Sequence, residues 1–437
     1  MRREPRVARA RFTFPPRCLR ELQGAQKVRD GLAMRPAARQ ANRHWLLLLL
    51  LSDHRCFQVL MAGSTTRRTP LLGWTSWATI GCSIDCEHNP DYCLSERVLK
   101  QMMDAVVDGG WKAAGYTMLH VDDCAFTVRD NATGELVADP RRFSNGTFEA
   151  LAAYAHSKGL QLGAYLDMGN HTCDWGHPPP PKSDGEFPDG PGSYLHEATD
   201  IATLARWGID QVKVDGCYRP DNTTRYWLGF SMIAEAIARS GRDIWLACEA
   251  MMYMEHDGCS GSTPSDPKCA TNFSAGGPAR LAAYRRLLAP GQCNSMTVKL
   301  DDVQNHFLPS NPPEADGLDG SVSSTIDFFG NNQGVLAGQV TPGHYNDPEW
   351  ILAGTSGQWM PDYRPAHQPF DSLPFVLTPS QTTAQFVLYS LLSVPMLLGL
   401  DFRRLNQHQH ADLRALLQNP DIIAINREYP CSAAVGH

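Results

Sequence analysis

Residues 211–218 read QVKVDGCY, a short β-rich run that ends in a carboxylate and other polar residues. Seven further apolar runs of this kind recur, with helix-like segments between several of them. The full set covers residues 71–77, 117–121, 161–166, 211–214, 243–247, 293–298, 340–345 and 395–400. Eight strands separated by helices predict an α/β fold, a (β/α)8 TIM barrel. From the pattern alone, an open doubly wound sheet is the alternative.

Two intervening segments show how the helices are encoded. Ser95 can cap a helix over residues 95–108, where apolar residues four apart share one face. A second helix over residues 148–158 is closed by Gly159. Two long loops, at 178–191 and 259–269, follow strand ends, where barrel enzymes build their pockets, and residues 311–324 form a third loop.

Charge is distributed unevenly along the 437 residues, whose formal net charge is −7. Residues 1–44 hold 12 Lys/Arg and 3 Asp/Glu, so they carry +9 and the remainder carries −16. An acidic body repels phosphate backbones, which argues against nucleic-acid binding. The longest apolar run is residues 45–51, well short of the roughly 18 residues that a spanning helix needs. No membrane span is predicted.

The N-terminal segment, residues 1–62, has the composition of a basic leader followed by a signal-like apolar run. Met34 is an alternative start. Ten cysteines between residues 82 and 293 are an even number, as a disulfide framework requires. Five Asn-x-Ser/Thr sequons, which mark N-glycosylation sites of secreted proteins, support the same compartment. They lie at Asn131, Asn145, Asn170, Asn222 and Asn272. A lumenal or secreted protein is predicted, with the catalytic barrel over residues 63–430.

Carboxylates follow several predicted strands, as in the segments at 122–124, 213–218, 248–249, 301–302 and 346–349. Aromatic residues stand among them, Trp77 and Tyr165 included. Carboxylates ringed by aromatic side chains suit a sugar, whose hydroxyls need acceptors and whose C–H face needs a flat apolar surface. Phosphate-loop and dinucleotide motifs are absent from the sequence. His408 and His410 fit a solvated surface better than a metal site, so no metal is predicted.

Several motifs resemble, in order, the signatures of glycoside hydrolase family 27. They are LLGWTSW (71–77), HVDDC (120–124), LGAYLDMGNHTC (162–173), KVDGCY (213–218), CEAMMY (248–253) and HYNDPEW (344–350). The resemblance covers about residues 69–428 and implies a (β/α)8 barrel that hydrolyses terminal α-galactosides with retention. Its animal members are lysosomal α-galactosidases and α-N-acetylgalactosaminidases, so a lysosomal or secreted location is implied.

The resemblance assigns the nucleophile to Asp215, and a purely structural pair of Asp215 with Lys213 is the alternative. A retaining mechanism needs a second carboxyl group as acid and then base. DDVQNHF (301–307) resembles the family segment that supplies it and favours Asp302, whereas ungapped counting from Cys293 selects Asp301. The family's Trp-Arg pair is replaced by residues 295–298, which removes a fixed positive charge.

The resemblance also implies the remaining sugar contacts, residue by residue. Trp77 is expected to form a pocket wall, and Asp122 and Asp123 to accept hydrogen bonds from sugar hydroxyls. The same resemblance places three more groups around the pocket, Tyr165, Lys213 and Asp301. At the sugar 2-position, the large set Glu249, Met252 and Tyr253 favours galactose, because an N-acetyl group would clash with Met252. Residues 250–251 depart from the family pattern in this loop.

The cysteine pairs implied are Cys82–Cys124, Cys86–Cys93, Cys173–Cys217 and Cys248–Cys293, with Cys259–Cys269 as an additional pair. The family's C-terminal antiparallel β domain is expected to be missing or truncated, with residues 431–437 as its start. No cofactor is expected, since two carboxyl groups suffice. The expected partners are α-galactoside-terminated glycans, with a homodimer as a candidate assembly. The alternatives are an α-N-acetylgalactosaminidase and a catalytically impaired sugar-binding homologue.

Overall fold

The computed structural model describes residues 12–13, 69–173, 190–253, 277–299, 302–303, 306–308, 320–355, 375–427 and 435–436. Eight parallel strands form its central sheet. In chain order they are β1 Leu72–Thr75, β2 Met118–Val121, β3 Gln161–Asp167, β4 Gln211–Asp215, β5 Trp245–Cys248, β6 Ser295–Thr297, β7 Tyr345–Asp347 and β8 Met396–Leu398.

The sheet closes on itself. Its hydrogen-bonded order is β7-β6-β5-β4-β3-β2-β1-β8, so each strand pairs with its sequence neighbour and β8 returns to β1. A parallel bridge between Ile351 and Leu398 joins the two free ends of the sheet. The predicted (β/α)8 barrel is therefore confirmed, and the open doubly wound sheet is wrong.

Helices alternate with the strands. They are α1 Glu96–Asp108, α2 Glu149–Ser157, α3 Glu197–Trp207, α4 Thr223–Ser240, α5 Gly277–Leu287, α6 Val322–Leu336, α7 Pro379–Leu392, α8 Ala411–Leu417 and α9 Pro420–Arg427. Ser95 caps α1 as predicted, because its side chain accepts a hydrogen bond from the Val98 amide. Short helices cover Trp77–Ile80, Trp111–Ala114 and Phe402–Leu405. A hairpin that the pattern missed pairs Phe126–Arg129 with Leu136–Ala138.

Strand β7 starts later than the sequence predicts. The run 340–345 was expected to be the strand, but Thr341 and His344 exchange backbone hydrogen bonds of 3.0 and 2.9 Å. Gly343, with φ +86°, allows that tight turn. The strand therefore begins at Tyr345, and its polar residues lie at the strand end.

The core lies between the barrel strands and the surrounding helices. One continuous cluster of buried side chains joins residues such as Trp74, Leu119, Leu162, Val212 and Leu246 to the inner faces of the helices. Parallel strands covered on both faces read as nearly unbroken apolar runs, which is why the sequence pattern located them.

Among the described residues four disulfides form: Cys82–Cys124, Cys86–Cys93, Cys173–Cys217 and Cys248–Cys293. The fifth implied pair, Cys259–Cys269, lies outside the described residues, as do the loops 178–189 and 259–269 and residues 311–319. Of the leader and the last seven residues, only the short antiparallel pair of Phe12–Thr13 with Val435–Gly436 is described. Among the described helices, none is long and apolar enough to span a bilayer.

Candidate active site

Polar side chains gather at the carboxyl ends of the barrel strands, the edge at which enzymes of this fold place their sites. Most of them are carboxyl groups shielded from water. In chain order the set is Trp77, Asp122, Asp123, Tyr165, Asp167, Lys213, Asp215, Glu249, Met252, Tyr253, Asp302, Asp347, Glu349 and Trp350. Asp301, the alternative to Asp302, lies outside the described residues.

Lys213 lies at the centre of the carboxyl groups. Its Nζ is 3.1 Å from Glu249 Oε1, 3.5 Å from Asp122 Oδ2 and 4.0 Å from Asp215 Oδ2. It also lies over the Tyr165 ring, 5.4 Å from the centroid. Burial by itself would lower the pKa of Lys213, but the negative charges of Asp122 and Glu249 outweigh it and raise that pKa well above its ordinary value. The ammonium therefore stays charged.

Asp215 ends β4 with both carboxylate oxygens engaged. Oδ1 accepts a hydrogen bond of 2.8 Å from the Gly216 amide, and Oδ2 accepts one of 3.0 Å from the Tyr165 hydroxyl. Only 6% of the residue is exposed. The carboxylate is thus fixed in one rotamer, with Oδ2 facing the interior where Lys213 lies. Tyr165 and Lys213, which the resemblance assigns to the pocket lining, lie beside Asp215.

Asp167, which ends β3, belongs to the same network and was missed by the sequence analysis. Its Oδ1 accepts a hydrogen bond from the Gly169 amide at 2.5 Å, and its Oδ2 accepts one from the Cys217 amide at 3.1 Å. Burial raises the pKa of this carboxyl well above its usual range, and the Asp215 charge acts in the same direction. Its position at a strand end was the signal that could have revealed it.

The three residues assigned to the sugar 2-position lie together after β5. Glu249 and Met252 are buried. Burial raises the pKa of Glu249 well above its usual range; the Asp215 charge adds to this, and Lys213 opposes it. Tyr253 interacts with the same Asp215 carboxylate through a side-chain hydrogen bond. Glu249 and Tyr253 therefore flank Asp215 on the β5 side.

Asp302 reaches the site from a segment beyond β6, and the neighbouring chain segment holds it there. The Val303 amide donates a 2.7 Å hydrogen bond to Glu349 Oε2, and Trp350 Nε1 donates one of 3.0 Å to the Val303 carbonyl. Glu349 has φ +71°, a conformation that non-glycine residues rarely adopt and that is concentrated at functional sites. Glu349 and Trp350 thus fix the peptide next to Asp302.

The protonation of Asp302 reflects its surroundings. Burial raises the pKa of this carboxyl to about 6; the Asp215 charge contributes in the same direction, while Lys213 and Glu349 act against it. A carboxyl group with a raised pKa beside an ionisable partner is a typical acid/base arrangement. Asp302 and Asp215 are the two carboxyl groups that the resemblance names as acid/base and nucleophile.

Trp77, Asp122 and Asp123 complete the wall on the β1–β2 side. Trp77 is buried in one cluster with Trp350 and Val303. Asp122 Oδ1 accepts a 3.0 Å hydrogen bond from the Asp123 amide. Burial would raise the pKa of Asp122, but the Lys213 charge and other partners lower it below its ordinary value. Asp122 is therefore ionised and able to accept hydrogen bonds.

The segment that lacks the family's arginine forms β6. Its three side chains, Ser295, Met296 and Thr297, are buried. Burial raises the pKa of Asp347, and a hydrogen bond from Ser295 is among the effects that oppose it. Ser295 thus supplies this edge of the site with a neutral donor in place of a guanidinium.

Four potential metal-ligand atoms lie within 4.8 Å of one another, from Asp167, Cys173, Asp215 and Cys217. Cys173 and Cys217 form a disulfide, so neither offers a thiolate. Tyr253 Oη lies 3.2 Å from Cys217 Sγ. This cluster is therefore a disulfide beside the nucleophile candidate rather than a set of metal ligands.

A (β/α)8 barrel with paired, shielded carboxyl groups at its strand ends defines the class: a glycosidase. The family model described as alpha galactosidase A matches residues 69–271. The α-N-acetylgalactosaminidase of Rattus norvegicus is 33% identical over 384 residues, covering 88% of this chain and 73% of that one. Alpha-galactosidase A of Homo sapiens is 31% identical over 361 residues, covering 83% and 66%. The chain belongs to the α-galactosidase/α-N-acetylgalactosaminidase family, glycoside hydrolase family 27.

Solved structures agree on the fold. The alpha-galactosidase I of Mortierella vinacea superposes with a TM-score of 0.60 at 20% identity and covers 86% of this chain and 76% of that one. The α-galactosidase of Saccharomyces cerevisiae gives a TM-score of 0.59 at 19% identity, covering 85% and 66%. At these identities the likeness supports the barrel architecture and says nothing further about substrate.

Proposed function

We propose that this chain is a retaining α-galactosidase that removes a terminal α-linked galactose from oligosaccharides, glycoproteins or glycolipids. The proposal rests above all on Asp215, a shielded carboxylate at the end of β4 whose charge acts on the Asp302 carboxyl. Two carboxyl groups in electrostatic contact, one of them with a raised pKa, are the minimum that double displacement needs.

In the first step Asp215 attacks the anomeric carbon and forms a glycosyl ester, while the bond to the leaving oxygen breaks. Asp302 donates its proton to that oxygen, so the aglycone departs as a neutral alcohol. Tyr165 donates a 3.0 Å hydrogen bond to Asp215 Oδ2. That bond holds the carboxylate rotamer in which the attack is made.

In the second step the Asp302 carboxylate takes a proton from a water molecule, and the oxygen of that water attacks the anomeric carbon. The ester bond breaks, Asp215 regains its negative charge, and galactose leaves with the configuration it had. Lys213, 4.0 Å from Asp215 Oδ2, stabilises that returning charge. The chemistry uses only carboxyl groups and water, so we propose no metal or organic cofactor.

Specificity for galactose follows from the β5 side of the pocket. Glu249, fixed by Lys213 at 3.1 Å, is placed to accept a hydrogen bond from a 2-hydroxyl. Met252 is 6% exposed and leaves little space for an N-acetyl substituent. The competing candidate is an α-N-acetylgalactosaminidase, which the 33% identity to the rat enzyme of that name favours.

Hydrolysis of an aryl α-galactoside and of the matching aryl α-N-acetylgalactosaminide by the purified protein tests the proposal. We expect turnover of the galactoside alone. The paired substitution Glu249→Ser with Met252→Ala should reverse the preference by removing the acceptor and opening space. Preference of the unaltered protein for the N-acetyl substrate would overturn the specificity and keep the mechanism. Binding of galactose without any turnover would favour the sugar-binding homologue.

The compartment and the assembly are proposed on separate grounds. We propose a lumenal (secretory or lysosomal) or extracellular location; the four disulfides among the described residues support it, because disulfides persist in oxidising surroundings. Enzymatic deglycosylation should lower the mass if the sequons carry glycans.

We propose that the chain is divided into a leader (1–62), a barrel (63–430) and a following segment (431–437). The homodimer stays a prediction that sedimentation analysis checks.

A further inference from the structure

Arg280 is a buried arginine of α5 that has no role in the mechanism above. It lies near the amino end of the helix, on the buried face that also carries Tyr284 and Leu287. This spacing of four and seven residues is typical of the side of a helix that packs on a core. Arg280 Nη2 donates a 3.3 Å hydrogen bond to the Met251 carbonyl, three residues past the end of β5. The guanidinium therefore reaches the carboxyl edge of the strands.

A guanidinium in this position is unfavourable for the fold. Burial removes water from the charge, and the amino end of a helix carries a partial positive charge that repels a cation. Burial lowers the pKa of Arg280 to about 10, so the group stays charged at neutral and acidic pH. Features that a fold retains against such costs are concentrated at functional sites. The bond to Met251 ties this charge to the loop that follows β5.

The peptide unit that joins Met251 to Met252 is held from both sides. Its carbonyl accepts the bond from Arg280, and its N–H donates a 3.2 Å hydrogen bond to the Glu249 carbonyl. Because a peptide unit is planar, fixing both polar groups fixes the orientation of the whole unit. That orientation sets the direction in which the Met252 side chain leaves the backbone. Arg280 therefore acts on the residue that we assign to the sugar 2-position.

Tyr253, one residue further on, is held by other contacts. Arg219 Nη1 donates a 3.3 Å hydrogen bond to its carbonyl. Its ring packs so closely on Gly216 that a Cβ at this glycine would lie 2.4 Å from Tyr253 Cδ2. Loss of the Arg280 bond should therefore leave Tyr253 in place and release mainly Met252.

We propose that Arg280 is a positioning residue that excludes N-acetyl sugars by holding Met252 at the sugar 2-position. The inference rests on the proposed function, because it assigns Met252 to that position. When the bond to the Met251 carbonyl is lost, the peptide unit turns and the Met252 side chain leaves the space that an N-acetyl group needs. Discrimination between the two sugars falls, while the groups that make and break bonds stay in place.

The test compares the unaltered protein with Arg280→Met, which keeps a long side chain and removes its donors. The readout is kcat/KM for an aryl α-N-acetylgalactosaminide divided by kcat/KM for the matching aryl α-galactoside. We expect this ratio to rise about tenfold in the variant, which is within the range of steric discrimination by an apolar pocket. Arg280→Lys restores a cationic donor and should keep the ratio within about threefold of the unaltered protein. An unchanged ratio in Arg280→Met would overturn the inference.

Two further variants separate this role from a general structural one. Once Met252→Ala has removed the block, adding Arg280→Met should change the ratio by about twofold or less, because both changes act on one group. Full multiplication of the two effects would show that Arg280 does not act through Met252.

Arg219→Met is the matched control, because it removes a bond of the same length from the neighbouring Tyr253 carbonyl. Its ratio should change by about twofold or less, since Tyr253 keeps its contact with Gly216. An equal rise in Arg219→Met and Arg280→Met would indicate a general loosening of the loop and overturn the specific role of Arg280. If thermal unfolding shows that Arg280→Met does not fold, the shorter polar variant Arg280→Gln takes its place with the same expected rise.

Binding measurements separate this inference from the proposed function. Calorimetry gives the Kd of galactose and of N-acetylgalactosamine without requiring turnover. A tenfold relative gain for N-acetylgalactosamine in Arg280→Met, with hydrolysis by no variant, would overturn the function and support the role of Arg280. Hydrolysis of the galactoside with the same ratio in every variant would overturn the role of Arg280 alone. Neither binding nor hydrolysis by the folded, unaltered protein would overturn both.

Discussion

The two proposed catalytic carboxyl groups are held by different kinds of structure. Asp215 ends a five-residue strand, and its neighbour β3 is seven residues long. Asp302 follows a strand of only three residues and lies five residues beyond its end. The nucleophile side is therefore fixed by its own strand, by the amides that follow it and by the Cys173–Cys217 disulfide.

The acid side depends instead on a neighbouring segment. Glu349 and Trp350 hold the two backbone polar groups of Val303, and Trp77 packs in the same small cluster. A nucleophile must keep one rotamer, for which a strand end suffices. An acid/base group must also hold a raised pKa, which requires a water-free wall supplied by other elements.

The largest effect should come from the nucleophile side. Asp215→Asn removes the attacking oxygen charge, so kcat should fall by about 10⁴-fold or more. The Asn oxygen can accept from the Gly216 amide, and the Tyr165 hydroxyl can rotate to accept from the Asn NH2 group, so the Tm should change little. Steady-state kinetics and thermal unfolding measure the two effects. A large loss of stability with modest loss of activity would instead support a structural Asp215–Lys213 pair.

On the acid side, Asp302→Asn should lower kcat/KM by about 10²- to 10⁴-fold for an α-galactosyl disaccharide, because its leaving alcohol needs a proton. An activated aryl galactoside should lose much less. Asp301→Asn is the matched control, with less than a tenfold loss on either substrate. The reverse ranking of the two variants would move the acid/base role to Asp301.

The pH dependence of kcat/KM should report the protonation of Asp302, the proposed acid. Burial raises the pKa of Asp302 to about 6, and this group must be protonated to act as the acid. kcat/KM should therefore be sustained below that pKa and fall about tenfold per pH unit above it. A profile that is flat from pH 5 to pH 8 would contradict the assignment.

The smallest effect should come from the hydrogen bonds of two buried tryptophans. Trp350→Phe loses the donor to Val303, and Trp74→Phe loses the 2.7 Å hydrogen bond to the Leu400 carbonyl. Each should lower the free energy of unfolding by about 1–3 kcal/mol. Only Trp350→Phe should also lower kcat, by about threefold, because only it touches the Asp302 segment. Equal kcat values for the two variants would mean that the segment around Asp302 and Val303 does not depend on the Trp350 hydrogen bond.

Much of the barrel was predictable because its strands are buried on both faces and read as short apolar runs. The error at β7 arose because the run 340–345 is apolar enough for a strand, yet a glycine turn occupies most of it. Asp215 and Lys213 were predictable from local spacing, since residues two apart on a strand share a side. Asp167 obeys the same strand-end rule and could have been found.

The sequence by itself determined the barrel, the family and the set of residues that end its strands, because each of these is written in local order and spacing. Only the tertiary structure decided which groups meet across strands. Glu349 and Val303 are 46 residues apart, and His120 and Gln211 are 91 apart. Such pairs carry no shared sequence pattern. Their contact depends on how closure of the sheet brings distant strands side by side, and there burial and neighbouring charge set the pKa of each carboxyl group.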